Sequence, residues 1–121
     1  MTETDEEWIG LGTLDDYAEH VPVPIERRGW KLLAFRDGEC LYLYENRCTH
    51  AATRLDTGRL RGCEVSCPLH GARFDLRGGS VVRGPATRDL NAFEVRSVAG
   101  SLAARVPEKP VRRRPVPGGC R

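Results

Sequence analysis

Basic residues are missing from the start of this chain: residues 1–20 hold seven acids and no Lys or Arg. The opening Thr2-Glu3-Thr4-Asp5-Glu6-Glu7 has no basic start, no apolar run and no twin arginine. Neither secretion nor membrane insertion is signalled, and a reducing cytoplasm is the expected setting. Helix signals are nearly absent too. Only Thr13-Leu14-Asp15-Asp16 offers a capping residue followed by acids, enough for a single turn. Histidine is scarce, with three in 121 residues, and a chain of that length suits one domain with no room for a second, catalytic one.

Charge is uneven rather than large. The net charge is +2, but residues 105–121 hold six bases and one acid and the middle of the chain carries +4. Both ends read as solvated tails. Arg112-Arg113-Arg114 lies among prolines with no aromatic side chain to stack on a base, so no nucleic-acid partner is expected. From Pro107 the composition turns to Pro, Arg and Gly. This divides the chain into a domain over residues 1–106 and a tail over 107–121 that is expected to be disordered, with Cys120 as an exposed thiol.

What is present is a series of short strands broken by Gly, Asp and Pro, the pattern of an all-β domain. Trp8 to Leu11 reads as a first strand, and the two prolines of Val21-Pro22-Val23-Pro24-Ile25 confine that stretch to an extended edge. Gly29–Phe35 and Cys40–Tyr44 form a hairpin around Arg36-Asp37-Gly38-Glu39. In its second arm Cys40, Tyr42 and Tyr44 share one face and Leu41 and Leu43 the other, which makes Cys40 a small buried hydrophobe. Residues 51–61 read as a polar connector turning at Asp56-Thr57-Gly58, and Glu64–Ser66 as a strand. Gly71–Leu76 with Ser80–Arg83, and Phe93–Val98 with Ser101–Val106, read as two more hairpins turning at Arg77-Gly78-Gly79 and Ala99-Gly100.

The informative stretch is Cys48-Thr49-His50, sixteen residues, then Cys67-Pro68-Leu69-His70. Each half supplies one thiol and one imidazole, together a metal site in two loops. A single zinc in a Cys2His2 site satisfies the same donors. Zinc modules space the ligands of a pair two to four residues apart, whereas Cys48 and His50 have one residue between them. Short spacing suits a diatomic cluster, whose two metal atoms take neighbouring ligands separately. A disulfide between Cys48 and Cys67 would leave both imidazoles without a purpose.

The pattern C-x-H followed by C-P-x-H resembles the signature of Rieske iron–sulfur proteins. The resemblance extends through Cys67-Pro-Leu-His-Gly-Ala-Arg-Phe-Asp-Leu, which is similar to the second cluster loop of Rieske ferredoxins. It reaches Gly84-Pro85-Ala86-Thr87, which looks like the proline loop that covers the cluster in that family, and spans Trp8 to Val106. It implies an antiparallel β-sandwich or barrel with a two-loop cluster-binding subdomain. It also implies one [2Fe-2S] cluster per chain, with Cys48 and Cys67 on the inner iron and His50 and His70 on the outer. Of the remaining cysteines Cys40, Cys63 and Cys120, an odd number, no disulfide framework is expected; Cys63 reads as a structural thiol, with a spare metal ligand as the second reading. His20, the one histidine left over, reads as a solvated side chain with no role.

By the same resemblance the chain is an electron-transfer component rather than an enzyme. It would take an electron from a flavin-containing, NAD(P)H-linked reductase and pass it to a terminal oxygenase. The alternatives are a small subunit of a nitrite-reductase-like or oxygenase complex, and a zinc-binding interaction module. High-potential members carry a cysteine pair and a serine at positions matching Thr53, Leu69 and Ala72, so the resemblance implies a low potential here. Finally, Arg47, Arg54, Arg59, Arg61, Arg73 and Arg77 flank the ligand loops and would make a basic docking tip, unless internal pairs such as Arg73 with Asp75 absorb them.

Overall fold

The computed structural model describes residues 8–49, 53–69, 71–86 and 88–107. Eleven strands build three antiparallel sheets that stack as layers: β1 (Trp8–Gly12), β2 (Val23–Arg27), β3 (Trp30–Asp37), β4 (Cys40–Glu45), β5 (Arg59–Arg61), β6 (Glu64–Ser66), β7 (Arg73–Asp75), β8 (Ser80–Arg83), β9 (Ala92–Phe93), β10 (Val95–Val98) and β11 (Ser101–Arg105). The middle sheet runs β2-β3-β4-β9, and the flanking sheets are β1-β11-β10 and β5-β6-β7-β8. The expected all-β antiparallel sandwich is what the chain forms. The single expected helical turn is a 3-10 turn at Leu14–Asp16, where the Asp16 carboxylate accepts the Thr13 backbone N–H at 2.9 Å.

The period-two alternation of β3 and β4 decides which layer packs on which face. Leu32, Ala34, Leu41 and Leu43 face the β1-β11-β10 sheet in one core with Leu11, Trp30, Val95 and Ala104. Leu33, Phe35 and Tyr44 face the other way, into a second core with Val65, Phe74 and Leu76 of the small sheet. Cys48 and Cys67 belong to this second core. The site is thus mounted on the packing between the middle sheet and β5-β6-β7-β8.

Tyr44 ties these two layers together. Its buried hydroxyl donates to the Leu76 carbonyl at 2.7 Å and accepts the Gly78 N–H at 2.8 Å. Burial pushes the phenol well above its ordinary pKa, so it stays a donor at any physiological pH. Gly79 packs against the same ring: a Cβ there would lie 2.8 Å from Tyr44 Cε1, and its φ of +86° adds a backbone penalty for any other residue.

Several expectations change in detail. The main hairpin turns on Gly38 and Glu39 alone, because Arg36 and Asp37 extend β3 to pair with Leu41 and Cys40. Arg59–Arg61 is a strand, β5, paired to β6 rather than part of a connector. Its Arg-Leu-Arg carries one apolar residue, too few for a period to register. Phe93 belongs to β9 and pairs with Leu43 of the middle sheet, so the last hairpin begins at Val95. Cys40 is half-buried and disulfide-bonded, correcting its reading as a buried hydrophobe. Pro107 is held by the Trp30 indole, whose Nε1 donates to its carbonyl at 2.9 Å. Residues 108–121, where the tail was placed, lie outside the described residues.

Candidate metal centre

The two cysteine loops are closed in the same way. Cys48 donates its backbone N–H to the Thr53 carbonyl at 2.9 Å, and Cys67 donates to the Ala72 carbonyl at 2.7 Å. Each loop therefore closes a span of five residues behind its cysteine. Gly71, at a φ of +79°, completes the second by donating to the Cys67 carbonyl at 3.0 Å. His50 and His70 fall inside these closed spans and lie outside the described residues.

Cys48 and Cys67 are 1% and 2% exposed, and both pack in the core with Phe74, Ala72, Leu55 and Ala86. No disulfide joins them, which removes the pairing that would have left the imidazoles idle. Two thiols sunk in an apolar wall are a suitable donor set for the inner iron of a mixed-ligand cluster: soft, desolvated, and closed to water.

Asn46 is a site-building residue that the sequence did not disclose. Its amide side chain is buried, the residue being 4% exposed. Its Oδ1 accepts from the Leu55 and Asp56 N–H groups at 2.8 and 3.2 Å, and its Nδ2 donates to Asp56 Oδ1 at 2.8 Å. It thereby pins the chain leaving the first loop to the chain entering it. Burial pushes the Asp56 carboxyl up, but hydrogen bonds from Asn46 and Arg54 outweigh it and hold the pKa below the usual range. A lone Asn before a ligand loop gives no pattern to find. Gly58 serves the other loop, since a Cβ there would collide with the carbonyl oxygen of Ser66, the residue before Cys67.

Thr49 Oγ1 donates to the Arg88 carbonyl at 2.7 Å, joining the first loop to the segment after the proline loop. Ala86 of that loop is buried in the same core, while Thr87 lies outside the described residues. Leu69 is 58% exposed, leaving an apolar side chain bare on the second loop.

The expected basic tip is thinner than the sequence suggested. Strand register places Arg59 and Arg73 opposite Ser66, at the cysteine end of β6, and Arg61 opposite Glu64 at the far end. Arg77 follows Asp75, also at the far end, and pairs with it at 3.0 Å. Arg73 pairs with Glu64 at 3.4 Å, not with Asp75, and Arg54 with Asp56 at 3.0 Å. Among the described residues Arg59 has no ion partner within 4.0 Å, and neither has Arg83, which lies opposite Arg73 in the register, so these two remain as uncompensated charges at the cysteine end of the small sheet.

A three-layer antiparallel β fold with two matched cysteine loops is the frame of a two-loop metal centre. The chain belongs to the Rieske [2Fe-2S] domain family, which matches residues 7–94, and carries one [2Fe-2S] cluster. It is 37% identical over 90 residues to the ferredoxin component of the naphthalene 1,2-dioxygenase/salicylate 5-hydroxylase systems of Ralstonia sp, covering 74% of this chain and 86% of that one. The fold is similar to the ferredoxin of carbazole 1,9a-dioxygenase from Nocardioides aromaticivorans IC177, with a TM-score of 0.72 and 29% identity over 83% of this chain and 98% of that one. It is also similar to a chain in a complex of reduced oxygenase and oxidized ferredoxin in carbazole 1,9a-dioxygenase, with a TM-score of 0.73 and 28% identity over 87% and 98% of the two chains.

Proposed function

We propose that this chain is a one-electron carrier, held on a [2Fe-2S] cluster by Cys48 and Cys67 on one iron and His50 and His70 on the other. It accepts an electron from an NAD(P)H-linked flavin reductase and delivers it to a terminal oxygenase. The observation that carries this reading is the pair of matched cysteine loops on a fold shared with dioxygenase ferredoxins over nearly their whole length. The cluster supplies the redox chemistry when bound. The protein holds it, limits its exposure and selects partners.

We assign residues 1–106 to the domain and 107–121 to a tail. The chain itself is not the oxygenase: with His50 and His70 on the cluster, His20 alone remains, and a 2-His-1-carboxylate iron site needs two. No helix among the described residues is long and apolar enough to cross a membrane. A cytoplasmic location fits Cys48 and Cys67, both free thiols, which must stay reduced to hold the cluster.

The reading is tested by reconstitution. Mixed with a flavin reductase and a terminal oxygenase of a ring-hydroxylating dioxygenase system, the cluster-loaded chain should be required for NAD(P)H-dependent product formation, and each chain should pass one electron. Product formed at the same rate without the chain would contradict the proposal. Encounter should slow as salt shortens the Debye length below about 10 Å, but weakly, because Arg54 and Arg73 are already paired. Arg59→Glu should slow reduction at low salt and leave the visible spectrum unchanged; a rate that rises with salt would exclude a basic docking face.

The potential is expected near the low end of the Rieske range, about −150 mV. Ala72 is fully buried against the Cys67 loop and brings a methyl where a serine would bring a hydroxyl, and Leu69 points to solvent. Fewer hydrogen bonds to the cluster stabilise its more negative reduced state less. Voltammetry at neutral pH checks this, and a clearly positive value contradicts it. The potential should also fall into the alkaline range as the outer imidazoles lose protons, more readily on the oxidised cluster. A flat profile would mean that His50 and His70 are not both ligands.

A further inference from the structure

We propose that His20, Asp37 and Cys63 form a second metal site, suited to zinc, at the end of β6 remote from the cysteine loops. Asp37 Oδ1 and Cys63 Sγ lie 2.7 and 3.4 Å from the same atom, His20 Nε2, and Glu19 Oε2 is 3.9 Å from it. The three ligand atoms all fall within 4.8 Å of one another. A neutral imidazole nitrogen carries at most one proton, so it can satisfy one of these neighbours and not the rest. Once the Cys63 thiol gives up its proton, sulfur, nitrogen and carboxylate lone pairs converge on one point, the donor set that a cation takes.

The geometry fits zinc. With Zn–S of about 2.3 Å and Zn–N of about 2.0 Å, a tetrahedral ion sets its sulfur and nitrogen ligands roughly 3.5 Å apart, close to the 3.4 Å found. The ion replaces the His20–Asp37 hydrogen bond, opening that contact to about 3.3 Å. Thiolate and imidazole disfavour magnesium and calcium, which take oxygen ligands. Glu19 Oε2 accepts the Gly38 N–H at 2.9 Å and lies outside the three-residue group, so the fourth position falls to water.

The donors are held from three directions. His20 stacks on Phe35 at 5.7 Å between ring centroids, and its backbone N–H donates to the Arg36 carbonyl at 3.0 Å. Asp37 ends β3, and Cys63 is fixed by its carbonyl, which accepts the Leu76 N–H at 2.8 Å. Burial raises the Cys63 pKa, Arg77 opposes this, and Asp37, Asp75 and Glu19 add to it. Cys63 is therefore a thiol before the ion arrives, and binding releases its proton to solvent. The imidazole proton moves to Nδ1, so the ion meets a neutral His20. Joining residues 43 apart, the ion would clamp the cluster-bearing sheet to the middle sheet at the end opposite the cysteine loops.

The test uses cluster-loaded protein, stripped of loosely held metal with a mild chelator and dialysed against buffered zinc. Elemental analysis should give one zinc for every two irons. Cys63→Ser and His20→Gln should each weaken zinc binding roughly 100-fold with iron content and visible spectrum unchanged. Zinc X-ray absorption on the unsubstituted protein should show one sulfur at about 2.3 Å and nitrogen or oxygen for the rest. Failure to retain zinc, equal retention by both variants, or a zinc shell with two sulfurs would each overturn the site. None of these outcomes bears on electron transfer, which is read separately from the iron and the visible spectrum.

Discussion

Serine in place of Cys67 is expected to abolish the cluster, taking iron and acid-labile sulfide from two of each per chain to none. Cys67 directly follows β6 and is 2% exposed, so no water or neighbouring side chain can stand in for its sulfur. A serine oxygen is a harder, more basic donor that stays protonated where a thiolate forms. The loop would keep its closing hydrogen bond, because that bond is made by the backbone N–H to Ala72. The loss should therefore be visible as bleaching, with the far-ultraviolet circular dichroism of the sheets retained. Cys48→Ser should behave alike. Full iron content in either variant would mean that the cysteine loops do not hold the cluster.

Phe74→Ala is expected to cost about 3–5 kcal/mol, the usual range for emptying a buried aromatic site. Phe74 is fully buried in the middle of β7, paired across the sheet with Val65 and Val81. It packs in the core that contains Cys48 and Cys67. Its removal leaves a void beneath both loops, and the flanking strands, three and four residues long, have little reach to collapse into it. The melting temperature should fall by roughly 10 °C or more. The cluster should be lost faster to chelator at temperatures where the fold is still intact. An unchanged melting temperature would show that the small sheet does not depend on this core.

Those strands also show what could be read in advance. The long hairpin declared itself through alternation in Cys40–Tyr44 and a Gly at the turn, and β3 and β4 form where expected. Ala99-Gly100 was legible for the same reason, and both residues take positive φ. β5 and β9, three and two residues long, carry too few side chains for a period, and each exists because a neighbouring strand offers it hydrogen bonds. The cysteines stood out by spacing, and the structure brings Cys48 and Cys67 into one core. Asn46 and the His20–Asp37–Cys63 group did not, since their partners lie 9 to 43 residues away and meet only through the stacking of sheets. His20 in particular reads as solvated from the sequence because its neighbours Glu19 and Val21 say nothing of Phe35 or Cys63.

The assignment of two histidines to one iron is tested most directly by pulsed electron paramagnetic resonance of the reduced protein, with histidine labelled by nitrogen-15. The account predicts two inequivalent directly coordinated imidazole nitrogens, one of which disappears in His50→Cys and the other in His70→Cys. A reduced cluster with no strongly coupled imidazole nitrogen, or a signal unchanged by both substitutions, would contradict it.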